Sequence, residues 1–112
     1  MSKTKSLFTY NISTAAGTTQ WMAPELFDDK SCTFASDIYA YGMVLWEIAS
    51  REMPYKNVAT ASEIIKMKCS GNDLEIPLET PSSHTKIIFQ CWRFNPDDRP
   101  TAKELLERYL DN

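Results

Sequence analysis

The chain has 112 residues, of which 43% are hydrophobic, 12% aromatic and 24% charged, and 12 basic against 15 acidic side chains give a formal net charge of −3. That is enough chain for one compact domain and little for two, and the acidic balance excludes the clustered basic surface that nucleic-acid binding requires. Cys32, Cys69 and Cys91 are odd in number and widely spaced, and with a single histidine they leave no metal motif. They read as free thiols in a reducing compartment, two of them on core-facing helix faces.

The first residues, Met1 to Phe8, carry Lys3 and Lys5 but no apolar h-region, so nothing marks a signal peptide. Residues 2–20 are rich in Ser, Thr and Lys around Ala15-Ala16-Gly17 and show no helical or strand period, which predicts a loop. Asn11-Ile12-Ser13 forms a glycosylation sequon without any secretory context. Pro24 then permits a first helical turn over Glu25 to Asp28. Ser36 is the expected N-cap of a helix to about Ser50, with Asp37 set favourably against the helix dipole. This helix is apolar all round (Ile38, Tyr39, Tyr41, Met43, Val44, Leu45, Trp46, Ile48), the mark of burial on several sides. Its apolar run is broken by Gly42 and Glu47 and falls short of the ~18 residues of a membrane span, so the expected location is cytoplasmic, with no membrane segment.

After an irregular turn at Met53-Pro54-Tyr55, Thr60 and Glu63 form a capping box that opens a second helix over about 60–70, ended by Gly71. Pro77 and Pro81 keep the next stretch extended. A third helix is predicted over about 83–93, with Ile87, Ile88, Cys91 and Trp92 in one stripe. Thr101 and Glu104 form another capping box before a last helix over 101–110, whose Ala102, Leu105, Leu106, Tyr109 and Leu110 repeat at i, i+3, i+4, i+7 and i+8. No segment alternates like a strand, so the expected fold class is all-α. Three further helices are too few to cover an all-apolar central one, and part of its surface is expected to lie open or under a partner.

Four blocks in order resemble the eukaryotic protein kinase catalytic domain. They are Gly17-Thr18-Thr19-Gln20-Trp21-Met22-Ala23-Pro24-Glu25, similar to the end of the activation loop with its Ala-Pro-Glu motif, and Ser36 to Glu47, similar to the buried central helix. Met53-Pro54-Tyr55 follows as the turn after it, and Cys91 to Thr101 as the closing motif of tyrosine kinases and tyrosine-kinase-like serine/threonine kinases. Met1-Ser2-Lys3 is similar to the tail that follows Asp-Phe-Gly, so Met1 is expected to be an internal methionine of a longer parent or a gene-model start.

The resemblance implies the C-terminal part of the kinase large lobe, divided into an activation and substrate-binding segment at 1–25 and a helical part at 26–112. It implies an ion pair between Glu25 and Arg99, a structural role for Trp92, and contact with the substrate residue after the phosphoacceptor by Gly17, Thr18 and Trp21. Thr9, Tyr10, Ser13 and Thr14 stand where activation loops are phosphorylated, Thr14 first among them; the alternative is that they are solvated loop hydroxyls. Asp37 matches the residue that holds the catalytic-loop backbone, a role open here beside that of a helix N-terminal charge.

The residues that phosphoryl transfer requires are not in this sequence: a glycine-rich loop, the strand lysine, the catalytic Asp with its Asn, and the metal-binding Asp. The glycines at 17, 42 and 71 are too far apart for a phosphate loop, and Asp28, Asp29, Asp97 and Asp98 stand in other contexts. The chain alone is therefore expected to bind no cofactor and to catalyse nothing, while an intact parent would use ATP and Mg. Its expected partners are the rest of a kinase domain and protein substrates or regulators, with self-association through uncovered apolar surface. A stand-alone, non-catalytic interaction module is the alternative reading.

Overall fold

The computed structural model describes residues 19–28, 31–71 and 74–110. Among them it is all-α: two short 3-10 turns at Thr19–Trp21 and Pro24–Asp28, then helix α1 (Phe34–Ser50), α2 (Ala61–Cys69), α3 (Ser82–Cys91), a 3-10 turn at Pro96–Asp98, and α4 (Ala102–Leu110).

Helix α1 starts earlier than expected because Thr33, not Ser36, is its N-cap. The Thr33 hydroxyl accepts from the Ser36 backbone N–H at 3.4 Å and the Ser36 hydroxyl accepts from the Thr33 N–H at 3.3 Å, closing a capping box with serine in the place usually held by Glu or Gln. Of the two other expected boxes, the one at Thr101 closes, with Thr101 and Glu104 capping each other's backbone at 3.1 and 2.8 Å, whereas at Thr60 the hydroxyl accepts from the Glu63 N–H but the Glu63 carboxylate accepts from that hydroxyl instead of the Thr60 backbone N–H. Helix α3 has Pro81 at its N-cap position and ends at Cys91, two residues before the expected boundary.

The core lies where α1 packs on α3. Tyr39, Met43 and Trp46 of α1 meet Ile88 and Trp92, joined by Ala23, Tyr55 and Ile64. A smaller cluster of Ile38, Ile87, Cys91 and Leu105 brings in α4. Close approach of α1 to α3 depends on Gly42: a Cβ there would stand 2.7 Å from the Cys91 Cβ and 2.9 Å from the Trp92 ring. Trp92 is buried against this spot, and its indole N–H has no partner among the described residues.

Part of the α1 surface lies open, as the shortage of helices to cover it predicts. Tyr41, Val44 and Ile48 form an open stripe, with Ile48 68% exposed, while Ile38 on the adjoining edge is buried and Leu45 half-buried. The described helices pack on one side of α1, and its other side meets no element among the described residues. Helix α4 shows the same effect. Of its expected stripe, Leu105 is buried whereas Ala102 and Leu106 are exposed beside a cleft of about 340 Å³ that they share with Asp37, Ile38 and Tyr41. The cysteine reading is also corrected: Cys91 is buried on α3, but Cys69 at the end of α2 is exposed, and the second buried thiol, Cys32, precedes α1. His84 is exposed at the start of α3.

Gly42→Ala is expected to destabilise the fold by about 1–3 kcal/mol through overpacking, although alanine is the better helix former by ~1 kcal/mol. Urea unfolding followed by circular dichroism measures it; an unchanged or raised midpoint would show that α3 moves aside freely.

Candidate functional site

Residues 19–25 run across the ends of α1 and α2 and are held by two buried cations. The first is Arg99, which follows the 3-10 turn at Pro96–Asp98 and is 6% exposed. Its guanidinium grips the Glu25 carboxylate through two bonds of 2.8 Å each, Nη1 to Oε2 and Nη2 to Oε1. The remaining donors reach backbone carbonyls: Nη1 to Ala35 at 3.0 Å, Nη2 to Phe94 at 3.2 Å and Nε to Arg93 at 2.7 Å. All five N–H groups of the fork are thus used, which a buried guanidinium needs if its desolvation is to be offset. The Ser36 hydroxyl donates to Glu25 Oε2 at 2.9 Å, so the residue that closes the α1 capping box also completes the carboxylate's shell.

Burial pushes the Glu25 carboxyl up, but the hydrogen bonds and charge of Arg99, with Glu25's own backbone N–H and the Ser36 hydroxyl, outweigh it and hold the group below its ordinary value of 4.5.

The second cation is Lys68 of α2. Its ammonium donates to the carbonyl oxygens of Gln20 and Met22 at 2.6 and 2.7 Å. Between those two peptide groups sits Trp21, whose indole N–H donates to Glu47 Oε1 on α1 at 2.8 Å. The Tyr39 ring is approached by both cations, with the Arg99 guanidinium carbon 5.1 Å and Lys68 Nζ 4.8 Å from its centroid. Tyr55 supplies a further face at 5.4 Å and does so from a left-handed backbone with φ of 57°, a conformation a bulky residue keeps only when its surroundings impose it.

Among the described residues no group of three or more His, Cys, Asp and Glu is arranged to hold a metal ion. Gly42 is filled by its neighbours, and Gly71, with φ of +81°, ends a helix. What the arrangement can do is present a backbone segment in one fixed path.

Residues 2–109 match the family model described as protein tyrosine and serine/threonine kinase. The chain belongs to this family. A probable LIM domain-containing serine/threonine-protein kinase of Dictyostelium discoideum is 41% identical over 91 residues, 81% of this chain and 9% of that protein. The fibroblast growth factor receptor homolog 1 of Drosophila melanogaster is 38% identical over 93 residues, 82% of this chain and 13% of that protein. Mitogen-activated protein kinase kinase kinase 12 of Rattus norvegicus is 34% identical over 91 residues, 81% of this chain and 10% of that protein. The chain thus spans only about a tenth of the length of such relatives, and the all-α region described above is part of a kinase catalytic domain.

Of the residues singled out in the sequence, Glu25 and Arg99 meet directly and Trp21 lies half-buried in the same segment. Trp92 is in the core. Asp37 is half-buried in the first turn of α1, its carboxylate oxygen 3.9 Å from the Cys32 thiol. Gly17, Thr18 and the hydroxyl residues Thr9, Tyr10, Ser13 and Thr14 lie outside the described residues. Sequence reading missed Lys68 and Glu47. The signals were present: Lys68 is one helical turn after the inward-facing Ile64, and Glu47 is the one acid within the apolar run of α1.

Arg99→Ala should lower stability by roughly 3–5 kcal/mol because it strands the buried Glu25 carboxylate. The stability due to the depressed Glu25 group is present above its unfolded value and is lost as pH falls through its lowered folded value. Urea unfolding of both proteins over a pH series is therefore expected to show the gap between them narrowing in acid below 4.5, and a gap independent of pH would contradict the pairing.

Proposed function

We propose that this chain is the peptide-docking and regulatory portion of a serine/threonine kinase whose intact catalytic domain transfers phosphate from MgATP to protein Ser or Thr. The observation that carries this reading is the bidentate Glu25–Arg99 pair, which ties the Ala-Pro-Glu segment to the helical region and so anchors residues 19–22 on their C-terminal side. In this role Gly17, Thr18 and Trp21 contact the substrate residue after the phosphoacceptor. Thr14, Ser13, Thr9 and Tyr10 accept regulatory phosphates, which would order the loop through arginine pairing. Asp37 faces the catalytic loop supplied by the rest of the domain, and the setting is the cytoplasm. The Gly-Thr start of the docking segment supports Ser/Thr over Tyr as the acceptor.

The division of labour has a direct test. Calorimetric titration of the 112-residue chain with MgATP is expected to give no saturable heat, and a phosphate-transfer assay on a generic protein substrate no product, whereas a longer protein containing the chain phosphorylates Ser or Thr. Saturable nucleotide binding by the 112 residues would overturn it, since the sequence carries none of the motifs with which the family contacts a nucleotide.

In the absence of the remaining lobe the apolar stripe of Tyr41, Val44 and Ile48 seeks another cover, for which a second copy of the chain is available. At about 25 cal/mol per Å² a few hundred Å² of such surface is worth several kcal/mol. Light scattering is expected to show a mass that rises with concentration, and Ile48→Glu to suppress the rise. A monomer throughout the series would show that the stripe tolerates water.

A further inference from the structure

Lys68 is 2% exposed, yet its contacts on residues 20–22 are to backbone, not to side chains. The Gln20 and Met22 carbonyls belong to the peptide groups on either side of the Trp21 turn, and both are drawn toward one ammonium. A point charge with three rotatable donors suits this, since it can satisfy two carbonyls that converge from different directions. Left unpaired, each would cost the desolvation of a buried acceptor. The site is built for the cation. Tyr39 and Tyr55 put ring faces beneath it, and the backbone at Tyr55 adopts its left-handed conformation where it does so.

We infer that Lys68 is a positioning residue for the peptide-docking segment: it fixes the path of residues 20–22, and Glu47 only orients the indole of Trp21 on that path. The inference rests on the proposed docking role for its meaning to function, but not for its geometry. Because the grip is on carbonyl oxygens, the side chains at 20 and 22 can differ without changing the path. The docking surface can thus alter its chemistry while keeping its shape.

Hydrogen exchange of the indole N–H groups, read by NMR on the full 112-residue chain, tests this. Trp21 donates to Glu47 at the segment, and Trp46, on the same helix as Glu47, donates to the Glu75 carbonyl at 2.8 Å and serves as a control. Lys68→Met keeps the apolar stem and removes the donors. It is expected to speed exchange at Trp21 by about tenfold or more while Trp46 stays within about twofold, the signature of local rather than global opening. Lys68→Arg, which can also donate to two carbonyls, is expected to restore protection. Equal acceleration at both indoles would make Lys68 a general stabiliser, and no acceleration would show the segment held without it; either result overturns the inference. Should Lys68→Met not fold, Glu47→Gln decides: backbone amide exchange over 20–22 is expected to change by less than about twofold, and opening of that segment would transfer the holding role to Glu47. No peptide is needed in any of these measurements, so their failure is distinct from failure of the docking role, which would appear as absence of peptide-induced shifts at Trp21 in a protein whose segment is still protected.

Discussion

A guanidinium with all five donors filled organises this region of the molecule. Arg99 joins four stretches of chain at one point: the turn that carries Glu25, the start of α1 through the Ala35 carbonyl, the end of the α3 connection through Arg93 and Phe94, and its own loop before α4. A buried charge is tolerated only where every donor and acceptor around it is satisfied. The stretches therefore cannot shift independently, because moving any one of them orphans a donor in the low-dielectric interior. Lysine could not substitute, since three rotatable donors on a point charge cannot fill a planar fork.

The two cations share Tyr39. Its ring lies within cation–π distance of both Arg99 and Lys68, and it is also a member of the central cluster with Met43, Trp46 and Trp92. Hydrophobic packing of α1 on α3 therefore sets the position of the surface against which both charged anchors rest. The core and residues 19–25 are mechanically one object: the apolar contacts place the ring, the ring faces both cations, and the cations hold residues 19–25.

Much of this was legible from residue order. The capping-box patterns at Thr60 and Thr101 located two helices because side-chain and backbone partners three residues apart are a local matter. The four motif blocks placed Glu25 and Arg99 together by resemblance, although they are 74 residues apart and nothing local links them. The start of α1 was misplaced because Thr33 and Ser36 are both good caps, and the choice went to the residue whose partner could also serve Glu25. An open face on α1 was legible from the shortage of helices to cover it, but not which residues it holds, because periodicity reports which residues are apolar and not what stands opposite them. Lys68 escaped notice for a related reason: a lysine in a short amphipathic helix ordinarily faces water, and only the fold reveals two carbonyls waiting for it.

The left-handed backbone at Tyr55 bears on the cooperativity of folding. In an unfolded chain a tyrosine rarely visits that region, since its Cβ crowds the following carbonyl, so the turn between α1 and α2 has little tendency to form unaided. Only when the ring can enter the cluster beneath Lys68 is the conformation compensated. The bend therefore depends on tertiary packing and not on local propensity, so that the seat of α2 beside residues 19–22 is tied to the same cluster that joins α1 to α3.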